Sequence, residues 1–238
     1  MQFDQLLNYL NEKYPQETQE KWDSSGLLYK GKEQIKKVLV TLDITSDIAL
    51  YAIENQVDCI ISHHPLIFQN YYQSFEYIRM IFIQLYNANI SLYSMHTNFD
   101  ASDIGMNTSY VKQLGYQPLY MDDMIVYFEC DGSIYDKLND LRYPIRIYNK
   151  QDQVDKVGLI LGAGGSMIEQ VNKEKANLFI SSEFKHHEIM YAKQHGITLV
   201  DVAHQAEVIF VEIVTTLIKE RFSELEVIAK IDDYTIEN

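Results

Sequence analysis

Two adjacent histidines, His63 and His64, stand at the most chemically distinctive point of the sequence. They follow an apolar run from Val57 to Ile61 and precede Pro65. The run predicts a short buried strand, and the proline predicts its end, because proline has no N–H to donate to a sheet. Ligands of open α/β sheets bind beyond the carboxyl ends of strands, where these imidazoles fall. Both are therefore candidate metal ligands; alternatively, one satisfies a core hydrogen bond and the other lies in solvent.

Two further predicted strand ends carry the same kinds of side chain. His96 and Asp100 follow one of them, and His204 and Glu207 follow the other. Imidazole and carboxylate are the ligands that suit Zn, Fe, Mn or Co. His204 and Glu207 are three residues apart at a predicted helix start, so they share a face, and a carboxylate there can bridge two ions. Two ions roughly 3.5–4 Å apart activate a water and polarise a substrate oxygen.

Other positions leave alternatives open. His96 either orients a ligand, contacts a substrate or is a structural histidine. Glu183 and His187, four residues apart on a predicted helix, either support the site and its substrate or lie on a solvated helix face. The glycine-rich loop 162–166 either cradles a phosphate with its amides or makes a tight turn. The sequence assigns no catalytic residue beyond these candidates.

The elements that must position these residues alternate between strand and helix. Strands are predicted at 37–43, 57–62 and 90–94, with helices between and after them, and the pattern resumes beyond residue 121. This order predicts an α/β fold of two lobes, with mostly parallel sheets flanked by helices. The predicted domains are a first lobe at 1–120, a second lobe at 121–204, and a C-terminal helix and strand at 205–238 that pack back on the first lobe.

The composition restricts the class of protein. The 238 residues include 20 basic and 34 acidic side chains, which give a net charge of −14. Nucleic acid is not expected as the main partner, because its binding relies on Lys and Arg, whereas divalent cations are attracted. No stretch reaches the ~18 apolar residues of a membrane helix, and the N-terminus lacks the pattern of a secretory signal. Two isolated cysteines agree with a reducing, cytoplasmic location.

Four motifs extend the argument across nearly the whole chain. They are Trp-Asp-x-x-Gly-Leu at 22–27, Ile-Ser-His-His-Pro-Leu-Ile-Phe at 61–68, His-Thr-Asn-x-Asp at 96–100 and His-x-x-Glu at 204–207. In this order they resemble the dinuclear-metal family called NIF-three-like, whose bacterial members are often labelled GTP cyclohydrolase 1 type 2 homologues. Three positions depart from it: Ala203 stands where many relatives have Gly, Ser24 where they have Asn, and Val208 where some have the final carboxylate.

The resemblance implies a dinuclear metal site between two α/β lobes, with two divalent ions per chain (Zn, Fe or Mn), and a homo-oligomer, commonly a hexamer. The ligands that it implies are His63, His64, Asp100, His204 and Glu207, with Glu207 as the bridge. It also implies a metal-dependent hydrolase of a nucleotide or phosphate ester, with a hydroxide between the metals as nucleophile. The alternative is a non-enzymatic metal-binding scaffold or regulatory interaction protein, because the family name comes from a protein interaction.

Overall fold

The computed structural model describes residues 1–68, 70–140, 143–171 and 174–232. The chain forms two compact units: one contains Met1–Ala101 and the chain from Val208 onward, and the other contains Ser102–Glu207. Each unit holds one β-sheet with helices beside it. The predicted α/β class, with two sheets flanked by helices, is therefore confirmed. The domain boundaries predicted at residues 120 and 204 stay predictions about independently folding parts.

The elements are numbered in chain order. The strands are β1 (Gly26–Tyr29), β2 (Lys37–Thr41), β3 (Cys59–Ser62), β4 (Ser91–Ser94), β5 (Tyr120–Asp122), β6 (Ile125–Glu129), β7 (Arg146–Tyr148), β8 (Lys156–Leu159), β9 (Leu178–Ser181), β10 (Thr198–Asp201) and β11 (Glu226–Ala229). The α-helices are α1 (Phe3–Lys13), α2 (Ser46–Glu54), α3 (Glu76–Asn87), α4 (Thr97–Asp100), α5 (Met106–Gln113), α6 (Ile134–Asn139), α7 (His186–His195) and α8 (Ile209–Arg221). Short 3-10 helices cover Gln16–Thr18, Tyr71–Gln73, Gly164–Glu169 and His204–Val208. None of the helices in the described part of the chain combines the length and apolar character that crossing a membrane requires.

The sheet of the first unit has the strand order β1-β4-β3-β2-β11. It is parallel except for β1, which pairs antiparallel with β4. Thr41 of β2 pairs with Ser62 of β3, and Ser62 pairs with Ser94 of β4. These three strands are almost entirely buried, as expected for parallel strands covered by helices. Because they end at the same level, the residues that follow them meet at one edge of the sheet.

Helix α2 connects β2 to β3 and shows how the sequence sets a boundary. The side-chain oxygen of Thr45 accepts the N–H of Ile48 at 3.2 Å, so Thr45 caps the helix. Ser46 and Asp47, whose side chains could also cap a helix, are already helical. Ile48 joins the buried cluster that contains Ile60 of β3, so the apolar side of the helix covers the sheet.

The sheet of the second unit has the strand order β5-β6-β8-β9-β10-β7. Only β8–β9 and β9–β10 are parallel pairs, so this sheet is mixed, whereas the sequence predicted mostly parallel sheets. One cause is the hairpin between β5 and β6. Its two-residue turn, Asp123 and Met124, has φ values of 49° and 68°. Two positive φ values in a two-residue turn are typical of a tight antiparallel hairpin.

Candidate metal centre

The pair His63–His64 directly follows strand β3. The backbone N–H groups of both histidines donate to the carbonyl of Leu42, each at 3.1 Å, so the pair stays attached to the chain that leaves β2. His63 is fully buried and His64 is half-buried. Their ring centroids are 4.8 Å apart. Both imidazoles therefore lie together at the carboxyl edge of the sheet.

The strand β4 supplies His96 and Asp100 to the same edge. Helix α4 is a single turn, in which the carbonyl of His96 accepts the N–H of Asp100 at 3.1 Å. Asp100 is buried, and its Oδ1 lies 3.8 Å from Nε2 of His63. One ring nitrogen from each of His63, His64 and His96 lies within 4.8 Å of the others. The first unit thus brings three imidazoles and one carboxylate together.

Each of these three imidazoles is held at Nδ1 by an oxygen atom. The acceptors are Met95 O at 2.8 Å for His63, Asp43 Oδ1 at 2.7 Å for His64 and Asp23 Oδ1 at 2.9 Å for His96. A carbonyl can only accept, so Nδ1 of His63 carries the hydrogen and Nε2 keeps its lone pair in the neutral ring. The same assignment for the other two rings leaves three Nε2 atoms able to donate to a metal ion.

Asp23 is the most heavily hydrogen-bonded of these acceptors. Its carboxylate also accepts from the hydroxyls of Ser25 at 2.5 Å and Thr97 at 2.6 Å, and from the N–H of Thr97 at 3.1 Å. Burial raises the pKa of Asp23, but the hydrogen bonds from His96, Ser25 and Thr97 outweigh it and hold that pKa well below its usual range. Asp23 is therefore a fixed negative charge behind His96, which makes the imidazole a better donor to a cation.

In the second unit, His204 and Glu207 lie on the 3-10 helix His204–Val208. Nε2 of His204 is 2.8 Å from Oε2 of Glu207, as their three-residue spacing leads one to expect. Nδ1 of the same ring is 2.9 Å from Oε1 of Glu183. Glu207 is buried. His204 is thus held at Nδ1 by an oxygen, as the three histidines of the first unit are, and like His63 it has a buried carboxylate near Nε2.

Gly162 makes room for the carboxylate of Glu207. It has a φ of +78°, a conformation that favours glycine, and a Cβ at this position would collide with Oε1 of Glu207. The amide of Gly164 donates to Gly162 O at 2.8 Å and to the Ser181 hydroxyl oxygen at 3.0 Å. The hydrogen bonds of Gly164 are therefore made within the protein, which is the arrangement of a tight turn.

Glu183 and His187 do not form the helical pair that their spacing predicted. Helix α7 begins at His186, so Glu183 lies before the helix, with a φ of 61°. This left-handed turn directs the Glu183 carboxylate to His204 instead. The side chain of His187 is 77% exposed, with Nε2 3.8 Å from Oε1 of Glu188. The solvated helix face that the sequence left open describes His187, whereas Glu183, although 58% exposed, lies before the helix and contacts His204.

Two carboxylates at the site, Asp43 and Asp23, were not among the predicted residues. Asp43 comes two residues beyond β2, at the edge of the sheet where His63 and His64 lie. A search for carboxylates after every parallel strand would have found it. Asp23 follows the only tryptophan of the sequence, in the first of the four motifs.

The side chains that both units offer are of the types that bind a divalent cation. The first unit offers His63, His64, His96 and Asp100, and the second offers His204 and Glu207. The net charge of −14 adds a field that attracts cations. Imidazole with carboxylate suits Zn, Fe or Mn better than Mg or Ca, which prefer oxygen alone. That ligands of both units share one dinuclear centre stays a prediction.

The sequence and the fold are similar to those of known proteins. A family model described as Duf34/NIF3 (NGG1p interacting factor 3) matches residues 1–234. A Campylobacter jejuni protein named GTP cyclohydrolase 1 type 2 homolog is 33% identical over 216 residues, 86% of each chain. A Mycoplasmopsis pulmonis protein of the same name is 30% identical over 234 residues, 90% of this chain and 92% of that one. The crystal structure of a hypothetical protein from Staphylococcus aureus matches 100% of this chain and 99% of its own, with a TM-score of 0.85 and 26% identity.

Proposed function

The chain belongs to the Duf34/NIF3 family, and from this premise we propose that it is a two-metal hydrolase acting on a nucleotide or another phosphate ester. The family predicted from the four motifs is confirmed. The name of the curated relatives, GTP cyclohydrolase 1 type 2 homolog, supports a nucleotide as the substrate.

The observation that carries the proposal is the way the histidines are held. Five imidazoles have an oxygen atom 2.7–2.9 Å from Nδ1. Four of them are at the candidate site: His63, His64, His96 and His204. The fifth, His195, is exposed at the end of α7 and bonds to the carbonyl of Tyr191. Histidines that bind metals almost always donate their second ring N–H to a carboxylate or a carbonyl. A histidine held in this way can be purely structural when it occurs alone. Here several such histidines lie at the ends of strands, near the buried carboxylates Asp100 and Glu207. This combination favours metal binding over a structural role.

The proposed ligands of two divalent ions per chain are those that the resemblance implied: His63, His64, Asp100, His204 and Glu207, with Glu207 as the bridge. The position of His96 in the imidazole cluster makes it a further candidate. Bound ions of this kind polarise a substrate oxygen and lower the pKa of water. Three of these histidines donate their Nδ1–H to a carboxylate: that of Asp23, Asp43 or Glu183. The proton therefore stays on Nδ1, and Nε2 keeps the lone pair that can bind a metal ion.

The test combines metal analysis with an activity screen on the full chain. Protein loaded with Zn, Mn or Fe is incubated with GTP and with a panel of nucleotides and phosphate esters, and His64→Ala is the control. We expect roughly two ions per chain and turnover that His64→Ala abolishes. Metal binding without turnover on any member of the panel would favour the non-enzymatic scaffold. Failure to bind metal would contradict both functions.

We also propose that the protein is a homo-oligomer, which the family resemblance specifies as a hexamer. On and before helix α3, several large apolar side chains are exposed: Tyr72, Phe75, Tyr77, Met80 and Tyr86. Exposed apolar patches commonly mark association surfaces. Analytical ultracentrifugation that gave a monomer at all concentrations would contradict the proposal. A cytoplasmic location stays a prediction.

A further inference from the structure

Two exposed aromatic side chains flank His96 at the histidine cluster. Trp22 is 61% exposed and Phe68 is 41% exposed. The centroid of the Trp22 ring is 5.7 Å from that of His96, and the Phe68 ring is 5.4 Å from it, both edge to face. The apolar surface of both rings is thus open to solvent beside a group of potential metal ligands.

The backbone that carries these rings is fixed by hydrogen bonds. On one side of Trp22, the N–H of Glu20 donates to the hydroxyl oxygen of Thr97 at 2.9 Å. On the other side, the Asp23 carboxylate accepts three hydrogen bonds from Thr97 and His96. The hydroxyl of Ser24 donates to the carbonyl of Phe68 and so connects the two aromatic segments. The loop is therefore organised before any ligand binds, which lowers the entropy cost of recognition.

We propose that Trp22 and Phe68 form an aromatic platform that stacks the planar heteroaromatic ring of the substrate and places its polar groups near the histidine cluster. This inference rests on the proposed function and assigns the part of the site that recognises the ring. Stacking on an aromatic side chain suits any heteroaromatic base, because every such ring has a π-face. The platform thus selects for a ring, and the neighbouring imidazoles and carboxylates select for what is attached to it.

The surroundings of the platform favour a small ligand over a protein partner. The rings contact His96, which hydrogen-bonds to the carboxylate of Asp23, so the apolar surface is bordered by polar side chains. Binding pockets for small ligands combine aromatic walls with a few placed polar groups in this way. The exposed aromatic pair at the start of α3 differs, because Phe75 stacks on Tyr77, with centroids 6.0 Å apart.

A direct test is available because Trp22 is the only tryptophan in the sequence. The fluorescence of the full-length, metal-loaded protein is titrated with guanosine monophosphate, with adenosine, which has a base but no phosphate, and with ribose 5-phosphate, which has a phosphate but no base. We expect saturable quenching by the first two and none by the third. Equal quenching by ribose 5-phosphate, or no response to either base-containing ligand, would overturn the proposal. If Trp22 fluorescence changed with the concentration of the protein and not with that of the ligand, the platform would instead bind a second copy of the chain.

Substitutions make the test quantitative. Trp22→Ala and Phe68→Ala should each weaken the binding of guanosine monophosphate, measured by calorimetry, about 5- to 150-fold, the range of one base–aromatic stack. Trp22→Phe keeps an aromatic ring and should retain most of the affinity. Tyr120→Ala on β5 is the control, because Tyr120 is 48% exposed and lies outside both the platform and the proposed association surface, and it should leave the affinity unchanged. Unchanged affinity in Trp22→Ala and Phe68→Ala would overturn the platform.

The inference and the proposed function fail in different ways. If the platform binds bases but the metal-loaded protein hydrolyses nothing, the inference stands and the hydrolase is lost. If the protein hydrolyses a guanosine nucleotide with the same KM in wild type and Trp22→Ala, the hydrolase stands and the platform is lost.

Discussion

The Nδ1 atom of His64 lies 2.7 Å from Oδ1 of Asp43, so a carboxylate just beyond strand β2 holds the imidazole just beyond strand β3. The two residues are 21 positions apart in the sequence, and the parallel pairing of β2 with β3 brings them together. The orientation of a proposed ligand therefore depends on a residue outside the proposed ligand set.

Removing the Asp43 carboxylate should lower the affinity for metal without unfolding the chain. Asp43→Asn is expected to lower the affinity for Zn about 10- to 100-fold, the usual effect of losing a partner of a metal-ligating histidine. Competition with a chromophoric chelator measures the affinity, and circular dichroism checks the fold. Asp47→Asn, on the exposed first turn of α2, is the matched control and should bind as wild type. Equal affinity in Asp43→Asn and wild type would refute the supporting role.

In the second unit, substitutions of Glu183 and His187 should differ in their effect on metal affinity. Glu183→Gln weakens the partner of His204 Nδ1 and should reduce metal affinity by about tenfold or more. His187→Ala removes a side chain that is 77% exposed and should have no effect. If His187→Ala lowered affinity as much as Glu183→Gln, the helical pair suggested by the sequence would regain support.

Asp58 should make stability depend on pH. Its carboxylate accepts from Lys32 Nζ at 2.5 Å and from the N–H groups of Lys36 at 2.8 Å and Lys37 at 3.1 Å. Burial raises the pKa of Asp58, but the hydrogen bonds from Lys32, Lys36 and Lys37 outweigh it and lower the pKa below its usual value. The folded-state pKa is the lower one, so the stabilisation is present above the unfolded-state pKa of about 3.9 and is lost as pH falls through the folded value.

Urea denaturation of Asp58→Asn measures this effect. At pH 7 the variant should lose about 1–3 kcal/mol of unfolding free energy, as expected for hydrogen bonds to a charged group. The difference from wild type should shrink as the pH falls below about 4. A deficit that stayed constant from pH 7 to pH 3 would show that the charge is not the cause.

Ala203 occupies a backbone conformation that suits glycine. Its φ is 60°, in the left-handed region. A left-handed conformation costs a non-glycine residue about 1–2 kcal/mol, and the greater freedom of glycine in the unfolded chain offsets part of that. Ala203→Gly should therefore raise the unfolding free energy by up to about 1 kcal/mol. Ala206→Gly, at a neighbouring position without a positive φ, should lower it; a fall in both variants would contradict the argument.

The sequence predicted the strand ends because each depends on local signals. The apolar run before His63 and the proline after His64 define a boundary that neighbouring segments do not alter. Parallel pairing then brings the ends of β3 and β4 to one edge, so His63, His64 and Asp100 meet as the pattern implied. His204 and Glu207, predicted after a third strand and three residues apart, contact each other as that spacing requires.

The acceptors at Nδ1 escaped prediction because they depend on tertiary contacts. Asp23 and His96 are 73 residues apart, and nothing near either residue in the sequence indicates the other. The sequence pattern predicted Glu183 on a helix, because a non-glycine residue with a positive φ cannot be recognised from the sequence. The mixed second sheet was missed for the same reason, since the β5–β6 turn uses Asp123 and Met124 rather than the Asn-Gly or Asp-Gly that identifies such hairpins.

The in-register ends of β2, β3 and β4 have a consequence for how this protein can change over evolutionary time. Ser62 pairs with Thr41 and with Ser94, so the spacing of the residues beyond them is inherited from the hydrogen bonds of the sheet. An insertion at the opposite edge, before β3 or before β4, leaves that spacing intact. A single inserted residue between Ser94 and Asp100 would shift every side chain after it out of place. Insertions and deletions in the first unit are therefore expected before β3 and β4, and not at the edge of the sheet that carries the candidate ligands.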